Sequence, residues 1–291
     1  MVDAIRNILL KFRKRPALFV FTAIATFFFC ILEQYNVLTK DYGTWGAIVG
    51  GNYLTDLNGL LEKLGLTFRN PSLLLILFLL VILLLVAISA ILGFSYSGFY
   101  HQMLCASEEK EKVPAEMRTG ISRHFTKLTL FFLAAIPATV VFVVLFLYTL
   151  VPSVLSVKMF LTGSSSLFFP MLLVCILTIL VDIFAVIFYA MYLSFSIPAL
   201  ISFPKGGIGI AFRMVNAYCW YLLPRTLLFL VLNLGLRAAL LALHYGWGSG
   251  ILGVVLLIFT WVIRTLIDTY YLHFVFNTFS AMKSDMNEDV Q

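Results

Sequence analysis

Charge is what this chain has least of. Asp, Glu, Lys and Arg make up 12% of its 291 residues, against about 25% in an ordinary soluble domain. So few charges cannot cover a water-facing surface, which excludes a soluble globular domain of this length. Cysteine is equally sparse. Cys30, Cys105, Cys175 and Cys219 show no CxxC spacing and fall in apolar runs or basic connections, which argues against a disulfide framework and a zinc site. The four histidines are scattered and peripheral and make no HExxH pair, so a metalloprotease helix is excluded. Walker A and Rossmann glycine patterns are missing as well. Gly93-Phe94-Ser95-Tyr96-Ser97-Gly98 lacks the fifth-place glycine of a GxSxG elbow. Small residues at the end of an apolar run serve instead to let helices approach closely. With no catalytic motif, metal-ligand set or cofactor fingerprint, the chain is expected to be non-enzymatic and to need no cofactor.

What is abundant is apolar: 62% of the residues are hydrophobic and the mean hydropathy is +1.01. A bilayer-spanning helix needs about 17–25 apolar residues, and six such runs occur, near 17–32, 72–96, 128–151, 168–195, 224–243 and 250–276. Backbone groups in hydrocarbon must bond within their own segment, so the runs are read as helices. The short alternating stretches of a β-barrel do not occur. Lys11, Arg13, Lys14 and Arg15 would suit the start of a signal peptide. The Phe-rich core and the following Glu33-Gln34-Tyr35 offer no small-residue cleavage site, so the first run is read as a retained anchor. The predicted fold is therefore all-α: one polytopic domain of six transmembrane helices with short amphipathic interfacial helices, and a polar tail over 277–291.

The basic residues give it a direction. Arg6, Lys11, Arg13, Lys14 and Arg15 precede the first run, Lys110, Lys112, Arg118, Arg123 and Lys127 follow the second, and Lys205, Arg213 and Arg225 follow the fourth. Lys283 lies in the tail, while the other side holds only Lys40, Lys63, Arg69 and Lys158. By the positive-inside rule both termini are cytoplasmic, as expected of a multi-pass protein of the cell membrane. The net charge of +6 then has a local cause, attraction to anionic headgroups at that face. No basic patch on a folded soluble surface supports nucleic-acid binding.

Between the runs lie amphipathic stretches. Leu54, Leu57, Leu60, Leu61 and Leu64 predict a helix on the outer membrane surface. Ile5, Ile8, Leu9 and Phe12 precede the first run, Met117, Ile121 and Phe125 the third, and Ile208 to Val215 the fifth, giving a loose threefold pattern. Lys11, Arg13, Lys14, Arg15, Arg118, Arg123, Arg213, Trp220 and Arg225 are the expected interfacial lipid contacts, because cationic stems and amphipathic rings settle at headgroup depth.

Four ionisable residues sit inside the runs: Asp182, Arg237, Arg264 and Asp268. A charge at the bilayer centre costs about 2.5–3.5 kcal/mol on insertion scales, so these should face the bundle interior and pair. Arg264 and Asp268, four residues apart on one helix face, can bond directly. Asp182 and Arg264 fall at similar depth, and Asn233 stands one turn before Arg237. The expectation is one neutral polar layer, either a packing network or a site for an ion, a proton or a polar headgroup. Pro137 is a candidate kink in the third run.

Gly93 to Phe99 leading into the charged loop, Pro198-Ala199-Leu200-Ile201 leading into Gly209-Ile210-Ala211-Phe212-Arg213, and a last run ending in Tyr270-Tyr271 carry a resemblance. The chain resembles the six-helix membrane domain associated with bacterial glycerophosphoryl diester phosphodiesterases and its stand-alone relatives. The phosphodiesterase domain itself is absent, so no catalytic residue carries over. The resemblance implies a lipid context in a bacterial inner membrane. The expected role is a binding or accessory subunit in envelope or lipid homeostasis, with membrane lipids as partners and a protein partner or homo-oligomer left open. The alternative is a transporter or permease component moving a small polar or amphiphilic solute past the charged layer.

Overall fold

An α-helix rises 1.5 Å per residue, so the 47 residues of α3 (Glu116–Thr162) reach about 70 Å, more than twice the roughly 30 Å of bilayer hydrocarbon. The other long helices also overreach it: α2 (Pro71–Ser107), α4 (Phe168–Ser202) and α7 (Ile251–Glu288) have 37, 35 and 38 residues. The shorter ones are α1 (Pro16–Gln34), α5 (Gly207–Ala217) and α6 (Cys219–Trp247). The structure is a computed structural model that describes residues 14–34, 71–162, 168–247 and 251–288. Lys11 and Arg13, the Ile5–Phe12 stretch and the Leu54–Leu64 stretch lie outside the described residues.

Every described element is helical. Among the described residues five helices are long and apolar enough to cross a membrane, over Leu74–Ser107, Glu116–Leu161, Phe168–Ser202, Cys219–Arg237 and Gly253–Asp285. The chain is a multi-pass, all-α membrane protein. The first apolar run forms α1, an apolar helix shorter than these.

The helices outrun the apolar runs at one end, hereafter the basic end. There α2 continues past residue 96, α3 begins before residue 128, and α4 and α7 run on through Ser202 and Glu288. Hydrogen bonding within a helix does not require apolar side chains, so the runs mark the hydrocarbon layer and not the helix limits. The Met117–Phe125 stretch is accordingly the first turns of α3, and residues 277–288 of the expected polar tail continue α7. α3 also passes through Pro137 and Pro152 as one helix, which the membrane setting tolerates.

The core lies at this same end. Phe99, Met103, Phe195, Ala199, Met214, Phe276 and Phe279 are almost completely buried there. α2 and α3 meet along glycines. A Cβ on Gly98 would stand 2.6 Å from Met117 Cγ and 2.8 Å from its carbonyl, and one on Gly120 2.6 Å from His101 Cβ. Gly93 meets Thr129 in the same way. The small residues of the Gly93–Gly98 segment thus do serve close helix contact. Between α4 and α5, Gly206 adopts the left-handed φ of 71°, which glycine takes without steric cost. At Gly207 a Cβ would stand 2.8 Å from the Ala199 carbonyl oxygen.

Away from the basic end the helices present apolar side chains outward: Leu75 to Leu84 on α2, Val143 to Leu147 on α3 and Leu172 to Leu180 on α4 are largely exposed. Here neighbours are joined by single polar or aromatic ties. Thr139 and Tyr189 share a 2.5 Å bond with Phe142 stacked on the Tyr189 ring at 4.3 Å. Thr26 and Thr265 meet at 2.6 Å, and Trp261 Nε1 donates to the Ala23 carbonyl at 2.7 Å. Lipid tails are as apolar as leucine, so inside the bilayer only such ties and close packing select one arrangement.

Candidate functional site

Three of the predicted polar residues come together. The i,i+4 spacing of Arg264 and Asp268 on α7 brings Arg264 Nε to 3.7 Å from Asp268 Oδ2. From α6, Asn233 Nδ2 donates to Asp268 Oδ1 at 3.1 Å. Arg264 Nη1 also donates towards Cys30 Sγ at 3.9 Å, and its guanidinium lies 5.8 Å from the centre of the Phe29 ring. One polar line therefore joins α1, α6 and α7 in the apolar layer. Arg264 is buried within it, whereas the Asp268 side chain remains 29% exposed. Asn233 Oδ1 is buried with no hydrogen-bond partner.

Asp182 is not part of this line. It is 6% exposed and sits in the α3–α4 seam, where Thr149 Oγ1 donates to its Oδ1 at 2.7 Å. Arg237, one turn beyond Asn233, stands on an exposed side of α6. The expected single layer is therefore divided into an α1–α6–α7 cluster and a separate α3–α4 carboxylate. Helical spacing within α7 was readable in advance. Which helices adjoin was not.

At the basic end a pair emerges that sequence reasoning missed. Arg15 Nε and Nη2 donate to Glu116 Oε2 and Oε1, both at 3.0 Å, and Nη2 also reaches the Lys110 carbonyl at 2.9 Å. Both side chains are 5% exposed. Glu116, not lipid, takes up the Arg15 charge, which corrects its reading as a headgroup contact. The one available signal was an acid in the first turn of α3, where the helix dipole favours it. Two of the histidines read as scattered are also neighbours, the His101 and His124 rings lying 5.2 Å apart between α2 and α3. Among the described residues no group of three His, Cys, Asp or Glu converges as a metal would require, and none of the four cysteines is in a disulfide.

The end of α2 is tied to α7. Lys283 Nζ donates to Glu108 Oε1 at 2.7 Å, and Lys110 Nζ to Oε2 at 2.5 Å. Partial burial alone would raise the Glu108 pKa, but the hydrogen bonds from the two lysines more than reverse this and hold it below the usual glutamate value. The same Glu108 bond raises the Lys110 pKa. Lys127 Nζ donates to the Phe203 carbonyl at 3.2 Å, fastening α3 to the end of α4.

The remaining interfacial candidates face outward. Lys14, Arg118 and Arg123 are exposed. The most developed outward surface is the elbow of α5 and the start of α6. α5 buries Gly207, Ala211, Met214 and Val215 against the core. On its other side it exposes Ile208, Phe212 and Arg213. At the start of α6, which follows directly, Trp220 is 88% exposed, and the Arg225 guanidinium stacks 3.6 Å over the Tyr221 ring, a favourable cation–π distance. Apolar, aromatic and cationic groups thus share one surface where the helices leave the apolar layer.

No protein-family model, no curated protein and no solved structure matches the chain.

Proposed function

We propose that the chain is a six-span, non-enzymatic protein of the cell membrane, with α1 as the sixth span and both termini cytoplasmic. In this reading it binds anionic lipid headgroups at its basic end and serves envelope or lipid homeostasis as a binding or accessory subunit. The carrying observation is the α5–α6 elbow. Trp220 is 88% exposed at the start of α6, which follows α5 directly in the chain, and Ile208, Phe212, Arg213 and Arg225 of the same two helices are exposed as well. An indole at headgroup depth anchors its helix, and each cation near an anionic surface adds about 1 kcal/mol of attraction. The resemblance to the phosphodiesterase-associated membrane domain supports the same lipid context.

The test is thermal unfolding of purified protein in neutral detergent, titrated with phosphatidylglycerol or with phosphatidylcholine. Phosphatidylglycerol is expected to raise the unfolding temperature of the wild type more than phosphatidylcholine does. Arg213→Gln/Arg225→Gln should lose that preference while unfolding normally without lipid. Equal responses of both proteins to both lipids would refute the proposal.

A second reading is favoured by one observation, the partial exposure of Asp268 between Asn233 and Arg264. A charged side chain open to its surroundings within the apolar layer suits a path for a small polar or amphiphilic solute. It predicts that Asp268→Asn abolishes solute movement in vesicles without lowering the unfolding temperature.

A further inference from the structure

The α3–α4 seam holds a group of oxygens that the lipid reading leaves unused. Thr149 Oγ1 lies 2.7 Å from the Phe146 carbonyl and 2.7 Å from Asp182 Oδ1. A hydroxyl has one proton to give, so two acceptors compete for it. Asp182 Oδ2 is buried with no hydrogen-bond partner. Ser153 stands one turn beyond Thr149 on the same face of α3, and its buried Oγ also has none. Between them Pro152 lies inside the helix and has no N–H to offer the Tyr148 carbonyl. At Asp182 and the hydroxyls of this face of α3, oxygen lone pairs thus outnumber protons. Among the described residues Asp182 meets no ion-pair partner, and Arg264 is engaged with Asp268 on α7.

We propose that Asp182, Thr149 and Ser153 bind a monovalent cation of the sodium type, helped by the backbone carbonyl that Pro152 releases. The chemistry of the donors sets the class. Carboxylate, hydroxyl and carbonyl oxygens suit hard cations and not thiophilic metals. One carboxylate balances one positive charge, whereas a divalent ion would leave a net charge in hydrocarbon, which is costly. Backbone carbonyls released within membrane helices are a recurrent means of holding such ions. The site shares no residue with the α5–α6 elbow and stands whether or not that surface binds lipid.

The experiment uses the full chain purified in neutral detergent without added lipid, so the elbow does not contribute. Unfolding temperature is measured in sodium, potassium, choline and magnesium chloride at equal ionic strength, and bound radiolabelled sodium is counted. The expected result is a saturable rise of several degrees in sodium over choline, with sodium retained by the protein. An equal rise in potassium supports the same oxygen site with less selectivity. Asp182→Asn should lose both the rise and the retained sodium. Ser153→Ala, which removes one ligand and folds whether or not the carboxylate variant does, should weaken apparent sodium affinity about tenfold, the loss of one bond to a charged group. Identical unfolding in sodium, potassium and choline would overturn the proposal. So would a response to magnesium alone, a dependence on pH with no difference between salts, or undiminished sodium binding in Ser153→Ala.

Discussion

The two halves of this molecule are built on different principles. At the basic end, seven helix segments converge on Phe99, Phe195, Phe276 and Phe279 and shut them away almost completely. In the apolar half the same helices leave Leu75 to Leu84 and Leu172 to Leu180 on the outside. Composition does not explain the contrast, because the exposed half is the more apolar of the two. The surroundings do. Where helices leave hydrocarbon, apolar side chains gain by turning away from water. Within the bilayer that gain vanishes, and polar ties such as Thr139–Tyr189 take its place. In this protein, burial reports where the water is.

Core truncations give the largest expected break in that comparison. Phe279→Ala should destabilise by about 3–5 kcal/mol, as loss of a buried aromatic does. Leu79→Ala, on the lipid-facing side, should cost within about 0.5 kcal/mol. Unfolding in a denaturing detergent titration reads both, and equal losses would abolish the distinction between the halves. A comparable loss of about 3–5 kcal/mol is expected for Glu116→Ala, which strands the buried Arg15 charge. The double variant Arg15→Met/Glu116→Leu should recover most of it, whereas a double variant as unstable as the single would show that the pair contributes more than charge balance.

Glycine substitutions sharpen the contrast at smaller cost. Gly98→Ala places a Cβ against the Met117 carbonyl and should cost about 1–3 kcal/mol by overpacking. Gly235→Ala, in α6 with nothing within 4 Å of the new Cβ, should instead stabilise its helix by about 0.5–1 kcal/mol.

The smallest effect concerns pH. Glu108 titrates below its ordinary value when folded. The stability this contributes is present above the unfolded glutamate value, near 4.5, and is lost as pH falls through the folded one. Lys110 titrates above its ordinary value when folded. Its share is complete below the unfolded lysine value, near 10.5, and fades as pH rises through the folded one. The tie between the ends of α2 and α7 should therefore hold from about pH 5 to 10 and loosen on either side. Lys283→Gln should shrink the acid step, with about 1 kcal/mol at stake in this partly buried pair. An unchanged acid limb would remove Glu108 from the account.

Much of this was legible in the chain. Apolar runs disclosed the membrane helices, and i,i+4 spacing disclosed Arg264 with Asp268. The Gly93–Gly98 segment announced a close helix contact. What sequence could not supply was adjacency between helices distant in the chain. Nothing in the sequence joined Glu116 to Arg15, because only the fold sets α1 beside the start of α3. Asp182 was assigned to a common charged layer because depth along a helix can be counted, whereas direction around a bundle cannot. Helix ends were not legible for a related reason: hydropathy registers the hydrocarbon boundary, and helices such as α7 pass through it.

The most direct measurement is hydrogen exchange of the protein in nanodiscs of phosphatidylcholine alone and with phosphatidylglycerol. Anionic lipid should slow exchange over residues 207–225, the α5–α6 elbow, while leaving residues 74–84 of α2 unchanged. Equal exchange at the elbow in both membranes, or one uniform change across both halves, would contradict the assignment of the basic end as the lipid-binding end.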